Sequence, residues 1–245
     1  MRLNTKTAIS TPKVLLVPYS KWHVPRYHEW MKDEEIQQAT ASEPLSVEEE
    51  YAMQRSWRED ADKLTFIVCL PSTSTTIPDG SSKDGALGLS GEEHDDSPAR
   101  MIGDINLFLR IDDGDEGDAA PEIIGEIELM IAEKKDQGKG FGKAALLAFL
   151  RYVLGREGEV VGEFLSGGGG GGGEGTSKGK LPVGFAALSV KIGQGNERSL
   201  KLFEGLGFRR VGEEPNYFGE WELRKTELGD GEVEGYREVV YARTE

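Results

Sequence analysis

The chain has 245 residues, with 29 Lys and Arg against 44 Asp and Glu and a formal net charge of −15. That balance repels nucleic-acid phosphates and argues against a nucleic-acid partner. No run of eighteen apolar residues occurs, and no charged start is followed by an apolar stretch. Neither a membrane span nor a secretory leader is expected, which makes the cytoplasm, or the nucleus, the expected compartment.

In chain order, Val14 to Pro18 reads as a strand, and helices follow near Val24 to Lys32 and Val47 to Asp60. Ser46 and Glu49 form a capping box for the second of these. His28 and Trp30 define faces of an amphipathic helix, and three histidines without a paired spacing give no metal site. Thr65 to Leu70 reads as the next strand. It holds Cys69, the one cysteine, as a packed thiol, so an intramolecular disulfide is ruled out. Pro71 to Ala99 is rich in Ser, Thr, Gly and Asp and reads as a flexible insert before the strand Met101 to Arg110. The acidic runs Glu92 to Asp96 and Asp112 to Asp118 read as solvated loops rather than an electrostatic trap.

The most informative stretch runs from Ile123 to Phe149. An apolar strand carries Glu126 and Glu128, whose two-residue spacing puts both carboxylates on one face. A tight turn follows, Gln137, Gly138, Lys139, Gly140, Phe141 and Gly142, and then a helix over Ala144 to Leu154. Strand, glycine turn and helix make a phosphate cradle: the backbone approaches a ligand closely and the first helical N–H groups point at an anion. Lys143 is followed by Ala144 where a P-loop needs Ser or Thr, and the glycine spacing fails the dinucleotide fingerprint.

Beyond this helix, Gly155 to Lys180, with its glycine run Gly167 to Gly173, reads as a flexible connector. Gly184 to Ile192 reads as a strand, Asn196 to Phe203 as a helix, and Gly205 to Phe208 as a turn. Strands near Phe208 to Gly212 and Phe218 to Arg224 follow. In the tail, Glu238 to Tyr241 either adds an edge strand or contributes none.

The Q-x-x-G-x-G loop, Gln137 to Gly142, resembles the pyrophosphate loop of the GCN5-related N-acetyltransferase (GNAT) superfamily. The N-x-x-S-x-x-L-F run from Asn196 to Phe203, with the L-G-F turn after it, resembles the helix and strand that follow in the same superfamily. HVPRYHEWMKDEEI from His23, ASEPLSVEEEYAMQRSW from Ala41, MIGDINLFL from Met101 and KIGQGNERS from Lys191 narrow the likeness to its eukaryotic N-acetyltransferase-nine-like branch. The resemblance covers roughly 1–71 and 101–224. It implies an α/β GNAT fold, a mixed central sheet with a splayed strand pair flanked by helices and interrupted by disordered inserts. One domain, 1–226, is expected, with inserts at about 71–99, 111–120 and 155–180 and a tail at 227–245.

The resemblance further implies acetyl-CoA as co-substrate, no metal, and direct transfer to an amine. The backbone of Met130, Ile131 and Ala132 would hold the pantetheine arm, and Gln137, Gly138, Lys139, Gly140, Gly142 and Lys143 the pyrophosphate. Asn196, with Ser199 one turn on, would hold the pantetheine or shape the thiolate site. Glu126 and Glu128 are the candidate bases, acting through a water. Many relatives place a tyrosine thiolate acid where this chain has Phe203, which donates no proton. Water, or Tyr217 from the loop between the last strands, then protonates the thiol, or the protein binds acetyl-CoA with little turnover. Thr40, Ser42 and Glu43, with the Asn216 to Gly219 loop opposite, are the candidate acceptor contacts. The expected acceptor is a protein or peptide amine, an N-terminal α-amine ahead of a lysine. The alternatives are a small amine and an acetyl-CoA-binding interaction module.

Overall fold

The computed structural model describes residues 1–40, 42–71, 95–112, 120–168, 182–229 and 231–242. Nine strands form one sheet, in the order β7-β8-β6-β5-β4-β3-β2-β1-β9. Its centre is the run β3 (Lys63–Cys69), β4 (Met101–Asp112) and β5 (Glu122–Ile131), each antiparallel to the next. β5 and β6 (Phe185–Gly193) are parallel, the crossover between them carrying α4 (Phe141–Gly155) and α5 (Glu157–Ser166). β7 (Arg209–Arg210) and β8 (Glu220–Lys225) complete that side, after α6 (Glu197–Gly205).

Alternation along the strands sends their two faces into two cores. One face of β3 to β5, with Phe66, Ile105, Leu107 and Ile127, packs on Leu146, Phe149 and Tyr152 of α4. The opposite face, with Ile67 and Met130, meets α1 (Val24–Trp30) and the partly buried Tyr51, Met53 and Trp57 of α3 (Val47–Glu59). The capping box expected for α3 is present, Ser46 N–H donating to Glu49 Oε2 at 2.8 Å and Glu49 N–H to Ser46 Oγ at 3.3 Å. Cys69 is buried, and burial pushes its thiol well above the usual range, so it packs rather than reacts. His28 of α1 lies 3.8 Å from Glu50 of α3, and Trp30 donates to Glu133 at 2.8 Å.

Three elements correct the sequence reading. β1 (Thr7–Ser10) precedes β2 (Leu15–Pro18) as an extra strand, and β9 (Arg237–Val240) pairs antiparallel with β1, the edge-strand alternative read for the tail. A short α2 (Glu34–Ala39) fills what reads as a connection, its cap being Asp33, which accepts from Glu35 N–H. The largest correction is α5, inside the 155–180 stretch expected to be a flexible connector. Its Val160, Val161 and Phe164 are buried, and its first residue, Glu157, accepts the N–H of Phe185 at 2.7 Å. Burial of that apolar stripe outweighs the helix propensity lost at Gly158 and Gly162. Asp95 and Asp96, read as the end of a solvated acidic loop, are buried instead, Asp96 accepting from Trp22 Nε1 at 3.0 Å, because these carboxylates find donors in the core. Of the expected inserts, 72–94, 113–119 and 169–180 lie outside the described residues.

Candidate functional site

The parallel pair β5 and β6 comes apart. Register holds from Ile123 opposite Phe185 to Glu126 opposite Ser189 and then stops. β5 continues to Ile131 paired with β4 alone, and β6 to Gly193 paired with β8 alone. Beyond Glu126 one edge of β5 therefore lacks a strand partner. Ala132 N–H donates to Ile102 O on the β4 side, so by alternation the peptide groups of Leu129 and Ile131 face the gap. This redistributes the expected backbone set: Met130 and Ala132 serve the sheet, and Ile131 serves the opening, its carbonyl accepting from Gln137 Nε2 at 2.8 Å.

The gap opens into a cleft of about 920 Å³. Met130, Ile131 and Ala132 line it together with Gln137, Gly138, Gly140, Gly142 and Lys143, and with Asn196 and Ser199 from the opposite wall. Gly138 and Gly140 have φ of 74° and 83°, a region costly to a side chain, and Gly140 is the N-cap of α4. Nothing lies within 4 Å of a Cβ added at Gly138, so the loop leaves its backbone open where an anion would approach. A donor with a diphosphate and a peptide-like arm fits this cradle, the helix start receiving phosphate and the bare β5 edge receiving the arm. Asn196 caps α6, its Oδ1 accepting from Ser199 N–H at 3.1 Å.

The lysines divide. Lys143 lines the cleft, whereas Lys139 is paired with Asp136 at 3.0 Å and is absent from the lining. The β1–β2 turn adds Lys13, whose Nζ stands 3.1 Å from where a Gly140 Cβ would be. A contact between positions so distant in sequence leaves no local signal, and no reading of the chain alone finds it.

The two candidate bases share the α1/α3 face of the sheet, but their surroundings differ. Glu126 is bound to Lys191 of β6 at 2.8 Å. Glu128 sits past the last β5–β6 pair, opposite Asn106 of β4. Desolvation, then the like charges of Asp104 and Glu126, push its carboxyl up to about 7, with Lys191 opposing and Glu220 adding. Glu128 is nonetheless exposed as a residue, so solvent reaches it and tempers that desolvation.

Phe203 is buried and packs edge-on against Phe208, ring centroids 5.1 Å apart, while its neighbour Leu202 lines the cleft. Tyr217 is 96% exposed on the β7–β8 turn, stacked only edge-to-face on Phe218, and is not among the residues lining the cleft. Of the acceptor candidates, Thr40 lines the cleft and its hydroxyl bonds Ser42 Oγ at 2.9 Å; Glu43 is exposed and outside the lining. Ile36 and Ala39 of α2, which the sequence reading missed, form part of the wall.

Residues 13–209 match the acetyltransferase (GNAT) domain, and the chain belongs to the GNAT acetyltransferase family. Its similarity runs to the N-acetyltransferase-nine-like branch. It is 42% identical over 212 residues to the human Alpha/beta-tubulin-N-acetyltransferase 9, covering 86% of this chain and 79% of that one. With the N-acetyltransferase 9-like protein of Schizosaccharomyces pombe it shares 37% over 228 residues, covering 86% and 92%. A spermidine N-acetyltransferase from Vibrio cholerae, solved with CoA and spermine, shares the fold at a TM-score of 0.53 and 13% identity, covering 95% and 98%.

Proposed function

We propose that this acetyltransferase moves the acetyl group of acetyl-CoA directly to the N-terminal α-amine of a protein. The observation that carries the reading is Glu128 just past the last β5–β6 pair, on the face opposite α4, next in sequence to Leu129 and Met130, which line the cleft that reaches the glycine loop; Glu128 itself stands outside that lining. Acetyl-CoA supplies an already activated thioester, so the chain itself needs to orient it, accept a proton and exclude a covalent detour. The Gly138–Lys143 backbone and the α4 N-terminus bind the diphosphate, and the exposed peptide groups of Leu129 and Ile131 orient the arm. Glu128 takes a proton from the acceptor ammonium, directly or through one water, its carboxylate becoming the acid as the amine becomes neutral.

The strength of that base supports an α-amine. A carboxyl pushed up toward neutrality lies closer to the ordinary α-amine value than to that of lysine, so taking a proton is less uphill from an α-amine. Phe203 is in the core and offers the departing thiolate no proton, so water is its acid in this reading. The name carried by the human relative makes tubulin the first protein acceptor to try.

Thermal unfolding with and without acetyl-CoA, followed by turnover on free-α-amine and α-blocked, lysine-containing peptides, tests the reading. A saturable rise in midpoint with acetylation confined to α-amines supports it. Turnover on lysine alone refutes the acceptor assignment, and a midpoint unmoved at millimolar acetyl-CoA refutes the donor assignment.

A further inference from the structure

The acceptor face of the sheet holds a buried carboxylate with no role in the reading so far. Asp104 of β4 is 2% exposed. Its Oδ2 accepts from Asn106 Nδ2 at 2.9 Å and from the Tyr27 hydroxyl of α1 at 3.3 Å. Both donors are neutral, and no cation balances the charge among the causes that act on it. A carboxylate buried without a cation works against folding, and such groups gather where their charge is used.

The strand register shows what that charge faces. Asn106 stands directly opposite Glu128, and Asp104 opposite Met130, so Asp104 is the diagonal neighbour of Glu128 on one face of the ladder. Diagonal positions are about 7–8 Å apart, within range of one bridging water and of a like charge. Asn106, between them on the same face, keeps a buried Oδ1 without a hydrogen-bond partner among the described residues. We propose that Asp104 is a positioning residue for acetyl transfer: its buried negative charge, held by Tyr27 and Asn106, makes Glu128 a stronger base toward the acceptor amine. The inference rests on Glu128 being the base. In the step it assists, one N–H bond of the acceptor ammonium breaks and an O–H bond forms on Glu128, the electron pair staying on nitrogen.

The other groups around the pair set its balance. Glu126 of β5 and Glu220 of β8 add negative charge at Glu128, and Lys191 of β6 opposes it. Behind Asp104 lie the phenols of Tyr27 and Tyr19, and Glu50 of α3 with His28 of α1 beside it. Burial pushes Asp104 up to about 6 against the two donors that hold its charge, and Asp104 is the largest like-charge influence on Glu128.

Asp104→Asn keeps the shape and an acceptor oxygen but removes the charge. The titration of Glu128 is followed by NMR on protein with isotope-labelled glutamate carboxyls, its signal identified by loss in Glu128→Gln. In Asp104→Asn it should move roughly 0.5 to 1.5 pH units toward acid, and the acid limb of kcat/KM should move with it while acetyl-CoA affinity stays unchanged. Tyr27→Phe, which removes one donor and so disfavours the charged Asp104, should shift Glu128 the same way by less, and serves if Asp104→Asn does not fold. An unmoved Glu128 titration, or a titration that moves without the limb, overturns the inference; if Glu128→Gln has lost turnover, the base assignment survives that result. Wild-type turnover in Glu128→Gln refutes the base assignment and the inference together.

Discussion

Lys191 of β6 holds Glu126 of β5 through a 2.8 Å ion pair, whereas Glu128, two residues further along the same strand face, lies beyond the point where β6 pairs with β5. One carboxylate is neutralised by a neighbour and the other has no such β6 partner beside it. Glu128→Gln is therefore expected to lower kcat by about 10² to 10⁴-fold, the usual worth of a general base, with acetyl-CoA affinity unchanged. Glu126→Gln should lower it far less. Equal losses in steady-state turnover would contradict the division of roles.

The glycine loop offers a separation of binding from folding. A Cβ at Gly142 would meet only the ends of Ile131 and Leu129, both at 3.7 Å, so a side chain is tolerated there. Gly142→Asp places a negative charge in the first turn of α4, which favours the helix dipole but repels a diphosphate. The variant should unfold at or above the wild-type temperature while its acetyl-CoA dissociation constant, measured by calorimetry, rises more than tenfold.

The family resemblance would put a thiolate acid at Phe203, yet its ring packs on Phe208 inside the core. Phe203→Tyr should not raise kcat. It should cost about 1 to 3 kcal/mol in denaturant unfolding, the penalty for a buried hydroxyl without a partner. A gain in kcat would show that this position reaches the thiolate.

Asp104 ties stability to pH with a definite sign. A carboxyl raised from the ordinary 3.8 to about 6 in the folded state favours folding while protonated, and that contribution is lost as pH rises from about 4 through 6. Asp104→Asn, which stays neutral, should gain on wild type across the same window by up to about 3 kcal/mol and hold a constant lead above it. Chemical denaturation at pH 4, 5, 6 and 7 reads this directly; a lead that does not grow with pH would contradict a buried, charged Asp104.

Much of this arrangement is written in local pattern. β3 to β6, α1, α3, α4 and α6 carry clear periodicity, and the glycine loop is contiguous, so Gln137 to Lys143 can be read as a unit. What escaped is non-local or short. β1 has four residues and becomes a strand only by pairing with β2 and with β9, whose own place in the sheet the sequence left between two readings. In α5, Gly158 and Gly162 and the glycine run beyond it mask an apolar stripe that shows its purpose only against the core. Asp104 and Glu128 meet through the β4–β5 register, and nothing in either strand alone fixes that register. Phe164→Ala, which should cost about 3 to 5 kcal/mol as a buried aromatic truncation, distinguishes a core helix from the flexible connector that the composition suggests.

The central claim is tested most directly by incubating the protein with acetyl-CoA and two peptides in competition, one with a free α-amine and no lysine, the other α-blocked with an internal lysine, and reading the products by mass spectrometry. The account predicts a single acetyl group on the α-amine peptide, lost in Glu128→Gln, with the lysine peptide unchanged. Acetylation of the lysine peptide at an equal or greater rate would contradict it.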